Sequence, residues 1–408
     1  MIFHLSTQSQ QINSSINISG SKSESNRLLI LQELIDGLTI ENLSDSDDSK
    51  HLEHALSTKD TLIDIGHAGT AMRFLTAFFS IKEGKEVVLT GSERMQNRPI
   101  EILVAALQSL GAEIHYKEKT GYPPIKINGK QLLKECVQIN GNVSSQYISA
   151  LMLIAASLPN GLQIELQGKI TSVPYINMTL KLLQKIGIEA GFSNHKIVIQ
   201  PFKKEVAKKI VVESDWSSAS YFYSIIALSS IGSSVTLSSY KKNSLQGDSC
   251  LVKIYQHFGV ETVFKENSIV ISKVKASETH PLEIDLKNAP DIAQTIVVTA
   301  FGLEISCNLT GLHTLKIKET DRLVALKNEL TKLGAAVTVT NDSLSLAKSK
   351  KINPNIAIET YSDHRMAMAF APLALKVPIT ILDADVVTKS YRNFWKDMQQ
   401  IGFQIDKA

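Results

Sequence analysis

Apolar residues recur at helical spacing just ahead of a glycine, with β-rich residues after it, at five places. These are ALQSLGAEI at Gly111, LLQKIGIEA at Gly187, IYQHFGVET at Gly259, NELTKLGAAV at Gly334 and DMQQIGFQI at Gly402. Apolar side chains three and four residues apart form one face of an amphipathic helix. Glycine suits the left-handed position that ends it, and the segment beyond reads as a strand. The glycines fall about 70 residues apart, the signature of an internal repeat. HLEHALSTKD, around Leu56, has the helix pattern without the glycine and reads as a degenerate sixth copy. About six such units fill the chain, each with room for roughly two helices and several strands. This predicts an α/β protein of repeated βαβ-type units rather than one Rossmann sheet. Two lobes of three units are expected, one of residues 20–215 and the other of 1–19 with 216–408. No Pro/Ser linker separates them, so the boundaries come from counting repeats.

Composition narrows the class. Of 408 residues 43% are hydrophobic and 20% charged, which is ordinary for a globular protein of two or three domains. The net charge of +3 is small and forms no basic run, which argues against a nucleic-acid or membrane-surface partner and leaves room for a small, locally bound anion. Cys136, Cys250 and Cys307 are far apart and lie in no CxxC or Cys/His spacing, so neither a disulfide frame nor a zinc site is expected. The start MIFHLSTQSQ lacks a basic-then-apolar leader, and no stretch of about 18 apolar residues occurs, so a cytoplasmic setting is expected.

The basic residues are uneven: 36 lysines against seven arginines, Arg27, Arg73, Arg94, Arg98, Arg322, Arg365 and Arg392. Lysine suffices for a solvated charge, whereas a planar guanidinium grips carboxylate or phosphate with two parallel hydrogen bonds. Scarce arginine therefore points toward oxyanion sites. Most of the seven sit in polar strings rich in small residues. SGSKSESNRLLI predicts a helix from about Ser21, whose free backbone N–H groups, with Lys22, Ser23 and Arg27, converge on an anion. It lacks P-loop spacing. GHAGTAMRFL repeats this grammar, with Gly66, Ala68 and Gly69 allowing close backbone approach. VSSQYISAL and ESDWSSASYF put paired serines ahead of apolar helices, where capping alone would also account for them.

KIKETDRLVALKNEL places Lys318, Glu319 and Arg322 within one turn, with Lys318 and Arg322 on one face at i,i+4. A carboxylate between two cations stays ionised yet can exchange a proton with a carbon acid. SDHRMAMAF opens another helix with Asp363, His364 and Arg365. A surface ion-pair network is the bland alternative for either string.

Ten strings in order, GSKSESNR, GHAGTAMR, RMQNRPI, VSSQYISAL, SVPYINMTL, ESDWSSASYF, APDIAQTI, KIKETDRL, SDHRMAMAF and KSYRNF, resemble the 5-enolpyruvylshikimate-3-phosphate (EPSP) synthases over essentially the whole chain. The resemblance implies a two-lobed inside-out α/β barrel with three βαβαββ repeats per lobe. It also implies transfer of the enolpyruvyl group of phosphoenolpyruvate to the 5-hydroxyl of shikimate 3-phosphate, in the shikimate pathway. By carry-over, Lys22, Ser23, Arg27, Ser144, Ser145, Gln146, Ser172, Tyr175, Asp291 and Lys318 hold shikimate 3-phosphate. Likewise Lys22, Gly69, Arg98, Gln146, Arg322, Arg365 and Lys389 surround phosphoenolpyruvate, and Lys22, Asp291, Glu319 and His364 are catalytic. No metal or organic cofactor is implied, and a monomer is expected. Substrates held by two lobes would imply closure, since cations contributed by each lobe would repel one another without them.

Departures from the family pattern are His67 for Asn, Phe74 for Pro, Thr314 for an Asn that contacts shikimate 3-phosphate, and Arg392 for Pro. His67, larger and titratable, is expected to alter pH dependence rather than abolish activity. Two rivals remain open. UDP-N-acetylglucosamine enolpyruvyl transferases usually carry a reactive loop Cys and an early Lys-Asn pair, and neither occurs here in a suitable context. A catalytically silent paralogue would sit poorly with retention of Lys22, Asp291, Glu319 and His364 together.

Overall fold

The computed structural model describes residues 1–170, 173–202 and 207–407. The chain divides into two compact units, Gly20–Val212 and Met1–Ser19 with Glu213–Ala408, and among the described residues three sheets lie in each. One complete repeat comprises strand Leu62–Asp64, helix Gly69–Ser80, strand Glu86–Thr90, helix Glu101–Leu110 and the hairpin strands Glu113–Tyr116 and Ile125–Asn128. The first two strands are parallel, joined by a helical crossover, and the fourth inserts antiparallel between the second and third. The same order recurs from Cys136 to Ile199, and in the other unit from Leu282 to Leu346. Strand residues alternate in burial, as in Cys136–Asn140 and Ser268–Lys273, because one face of each sheet is covered and the other is wet.

Two repeats are completed across large sequence separations. Asn13–Ile16 is the first strand of the sheet that resumes at Ser234–Ser238. Phe3–Thr7 fills the inserted position between Ile379–Ile381 and Phe403–Lys407, so Phe3 lies opposite both Ile381 and Lys407. The sixth repeat is shorter than expected. Its sheet has two strands, Lys208–Val211 parallel to Leu38–Glu41, and helix Asp47–Ser57 runs through residues 58–61 into the next repeat without a hairpin. That helix therefore needs no terminal glycine. At the other five sites the expected glycine is left-handed, with φ of 101° to 110° at Gly111, Gly187, Gly334 and Gly402 and 73° at Gly259.

The two units meet in sequence at Val212/Glu213, three residues before the position obtained by counting repeats. Side chains explain why Glu213 belongs to the unit on its C-terminal side. Its carboxylate accepts from the Trp216 indole at 2.9 Å, the Lys241 amide at 2.8 Å and Ser244 Oγ at 2.7 Å.

The helices fall into two kinds. The second helix of a repeat is amphipathic and exposes one face, as in Glu101–Leu110, Val173–Ile186 and Arg322–Lys332. The first is buried nearly all round. Gly69–Ser80 and Ala293–Gly302 are buried throughout, and Ser145–Ala155, Trp216–Leu228 and His364–Phe370 at all but one position each. Those exceptions are Gln146, Ser217 and Arg365, each in the first turn. Within each unit the first helices pack on one another, Trp216–Leu228 with Ala293–Gly302 and His364–Phe370, and Lys22–Gln32 with Gly69–Ser80 and Ser145–Ala155. Interior helices whose half-buried polar residues gather at their N-termini have their positive dipole ends available to an anion.

Candidate active site

In the Gly20–Val212 unit, polar side chains tie these N-terminal turns together. Arg27 is buried and fully engaged: Nε donates to Thr179 Oγ1 at 2.7 Å, Nη2 to Ser149 Oγ at 2.9 Å and Nη1 to the Ser23 carbonyl at 2.8 Å. Burial lowers its pKa to about 10, and the rings of Phe74 and Tyr175 lie 5.4 and 5.9 Å from its guanidinium carbon. Lys22 Nζ stands 3.3 Å from Asp48 Oδ2, and Ser23 is half-buried beside it. Ser144 accepts from the Gln146 amide at 3.4 Å, and Gln146 Nε2 reaches Thr70 Oγ1 at 3.1 Å, joining the starts of two helices.

Helix Gly69–Ser80 opens without a side-chain cap, leaving its first amides to a ligand or water. A Cβ on Gly69 would stand 2.5 Å from Arg98 Nη1, so the absent side chain is what lets that guanidinium lie over the helix start. Buried Arg73 props the same turn, donating to Gly69 O at 3.2 Å and Pro99 O at 2.9 Å. His67 Nδ1 is 2.7 Å from Ser92 Oγ.

In the other unit, four cations, Lys318, Arg322, Arg365 and Lys389, interlock with four carboxylates, Asp291, Glu319, Asp363 and Asp248. Arg322, only 2% exposed, donates to Asp363 Oδ2 at 2.7 Å, Asp291 Oδ1 at 2.9 Å and Glu319 Oε2 at 2.8 Å. Lys318 Nζ reaches the same Asp291 oxygen at 3.3 Å, Arg365 Nη2 lies 3.6 Å from the other, and Lys389 Nζ is 3.6 Å from Glu319 Oε1. Burial alone would raise the Asp291 carboxyl, but Lys318, Arg365 and Arg322 outweigh it and hold it well below the usual carboxylate range. Arg365 also donates to the Asp291 carbonyl at 3.1 Å and Ser217 Oγ at 3.2 Å. Ser217 in turn donates to Asp248, whose carboxyl is pushed up to about 6 by burial and then by Asp291. Because each cation faces a carboxylate, the repulsion expected from the cations alone is largely offset within this unit.

A family model described as EPSP synthase (3-phosphoshikimate 1-carboxyvinyltransferase) matches residues 52–398. The chain belongs to the EPSP synthase family. A 3-phosphoshikimate 1-carboxyvinyltransferase of Bacteroides fragilis (strain YCH46) is 44% identical over 406 residues, covering 98% of each chain. One of Colwellia psychrerythraea (strain 34H / ATCC BAA-681) is 36% identical over 422 residues, covering 96% of this chain and 97% of its own. Among solved structures, EPSP synthase from Acinetobacter baumannii matches with a TM-score of 0.81 at 22% identity over the full length of both chains. The enolpyruvyl transferase NikO from Streptomyces tendae matches at 0.74 and 14% identity, over 100% of this chain and 99% of its own. At these identities the two structures establish the shared two-lobed α/β fold.

Against the EPSP synthase strings, most expected residues fall at the helix starts just described, while Ser172 lies outside the described residues. One local expectation is corrected. Lys318 and Arg322 do not share a helical face, because Asp321 caps a helix that begins at Arg322, accepting from the amides of Leu323 and Val324. Lys318 and Glu319 precede that cap, and Lys318 and Arg322 reach the same Asp291 oxygen. His364 is buried, its Nδ1 3.7 Å from Asp363 Oδ1. Thr314 Oγ1 is buried without a hydrogen-bond partner among the described residues, and Arg392 is exposed. Sequence reasoning gave no role to Asp48, Thr179, Ser149 or Asp248, and it put Ser217 and Ser218 ahead of their helix, whereas Asp215 caps that helix and both serines lie in its first turn. Ser149, Thr179 and Ser217 lie inside family strings, whereas Asp48, in the acidic start SDSDDSK of its helix, and Asp248 lie outside them.

Proposed function

We infer that the chain transfers the enolpyruvyl group of phosphoenolpyruvate to the 5-hydroxyl of shikimate 3-phosphate, releasing phosphate. It is an enzyme of the shikimate pathway, and the reaction proceeds by addition and then elimination through a tetrahedral ketal. The observation that carries the residue assignments is the Asp291–Arg322–Glu319 arrangement. Two carboxylates share one buried guanidinium; Lys318 reaches the same Asp291 oxygen as Arg322, and Lys389 the Glu319 oxygen that Arg322 leaves. Addition needs a base for the hydroxyl and an acid for the methylene carbon, and one guanidinium fixes the spacing of both.

Asp291, ionised at neutral pH, accepts the 5-hydroxyl proton as oxygen bonds to C2 of phosphoenolpyruvate. Glu319 delivers a proton to C3, turning the methylene into a methyl. In the reverse sense it removes a proton from that methyl as the C2–O bond to phosphate breaks. Lys22 stabilises the departing phosphate, which leaves with the bonding pair. Lys22, Ser23, Arg27, Ser144, Ser145, Gln146, Ser172, Tyr175 and Lys318 hold the shikimate phosphate and ring. Gly69, Arg98, Arg322, Arg365 and Lys389 hold phosphoenolpyruvate, its anionic groups competing with Glu319 and Asp291 for the cations. His364 is the fourth catalytic residue of this reading, buried at the start of its helix with Nδ1 3.7 Å from Asp363 Oδ1. A cytoplasmic setting is part of this reading.

Running the reaction in deuterium oxide tests the methyl-bearing intermediate. A methyl that rotates before losing a proton puts deuterium into the product's vinyl group. Deuterium in the vinyl group supports the ketal, and failure to recover any methyl-bearing ketal by rapid quench would sink the addition–elimination reading.

A further inference from the structure

Outside the cluster that the reaction uses, the unit of residues 213–408 brings together His257, Glu278 and His280. His257 comes after the short helix Leu251–Ile254, and Glu278 and His280 lie between the strands Ser268–Lys273 and Leu282–Asp285. Glu278 Oε2 is 3.2 Å from His257 Nδ1 and 3.3 Å from His280 Nε2, and one ligand atom from each residue lies within 4.8 Å of the others. Ligands at zinc–nitrogen and zinc–oxygen bond lengths around a tetrahedral ion stand about 3.4 Å apart, so two of the three separations already fit.

The backbone holds this triad in place. The Glu278 amide donates to the His257 carbonyl at 2.9 Å, and the Val274 amide to Gly259 O at 3.0 Å. Buried Lys273 donates from Nζ to Phe258 O at 2.5 Å and to Ser277 Oγ at 3.1 Å. Two segments are thereby clamped before any ion binds, which reduces the ordering cost of chelation.

We propose that His257, Glu278 and His280 form a surface site for an imidazole-preferring divalent ion of the zinc type, joining the turn at 257–259 to the segment 274–280. Two imidazoles and one carboxylate suit zinc, cobalt, nickel or copper and not magnesium, which demands oxygen ligands. His280 is 67% and Glu278 38% exposed, so water can complete the coordination. Two features limit affinity. Lys275 Nζ competes for Glu278 at 3.8 Å, and His257 Nε2 is buried with no hydrogen-bond partner among the described residues, so the supporting outer shell is incomplete. Dissociation constants on the order of micromolar are expected.

The test is calorimetric titration of the full chain, stripped with a chelator, with zinc chloride and separately with magnesium chloride. Wild type is expected to bind one zinc ion per chain and no magnesium. The exposed variants His280→Ala and Glu278→Gln are expected to bind zinc at least tenfold more weakly, while keeping wild-type enolpyruvyl transfer as proof of folding. No zinc binding by wild type, or binding equal in wild type and both variants, would overturn the proposal.

Discussion

Arg322 and Asp363 form a two-point ion pair, with Nε to Oδ2 at 2.7 Å and Nη2 to Oδ1 at 3.4 Å, and both side chains are almost wholly out of water. Asp363 also caps the helix His364–Phe370, accepting from the Arg365 amide at 2.9 Å. One carboxylate thus orients Arg322 and starts the helix that carries Arg365. Removing its charge leaves a buried guanidinium short of a partner, at a cost of about 3–5 kcal/mol. Urea denaturation of Asp363→Asn should show that loss. A change under about 1 kcal/mol would mean that Asp291 and Glu319 suffice to hold Arg322.

Glu319 touches Arg322 and Lys389 but lies outside the helix, so its removal should leave the fold intact. Glu319→Gln keeps the shape and loses the proton, and turnover should fall about 100-fold or more, with circular dichroism unchanged. Wild-type turnover in that variant would take Glu319 out of the mechanism.

A methyl group at position 69 would meet the end of a flexible side chain, Arg98 Nη1, at 2.5 Å rather than backbone. Gly69→Ala should therefore fold normally but displace the guanidinium. A lost charge-assisted hydrogen bond predicts a rise of about tenfold in KM for phosphoenolpyruvate with kcat much less affected. An unchanged KM would separate Arg98 from that substrate.

The parts of the molecule that obey local rules could be read in the sequence. Gly111, Gly187, Gly334 and Gly402 each mark a helix end, since glycine takes a left-handed cap without strain, whereas the helix before Gly259 stops at Ile254 and the left-handed Gly259 closes the turns that follow it. The missing hairpin after Asp47–Ser57 showed only as the missing glycine. Long-range pairing left no trace: nothing in FHLST says that it inserts between strands near residues 380 and 405, because any strand of suitable alternation could. The misplacement of Lys318 had a visible remedy, since Asp321 ahead of an apolar run is an N-cap signal. Asp48 and Asp248 were out of reach, because their partners Lys22 and Ser217 are distant in sequence: locally Asp48 reads as one of several acids at a helix start and Asp248 as a lone aspartate.

Asp248 gives the fold a distinct pH response. Its folded-state pKa is raised from 3.8 to about 6, so the native chain holds a proton that the unfolded chain releases. Its contribution to stability is present at low pH and is lost as pH rises from about 4 to about 6, by up to about 3 kcal/mol. Asp291 runs the other way: its depressed pKa contributes stability above the unfolded value of 3.8, and this is lost as pH falls below it. Denaturation at about pH 4.5 and about pH 7.5 should show Asp248→Asn losing less stability across that interval than wild type. Parallel losses would place the response elsewhere.

The central claim is tested most directly by phosphate release from phosphoenolpyruvate by the purified chain, with shikimate 3-phosphate or with UDP-N-acetylglucosamine as acceptor. Release that depends on shikimate 3-phosphate, with none for the nucleotide sugar, is the predicted result. A folded chain that binds shikimate 3-phosphate yet releases no phosphate, or that releases it only with the nucleotide sugar, would contradict the account.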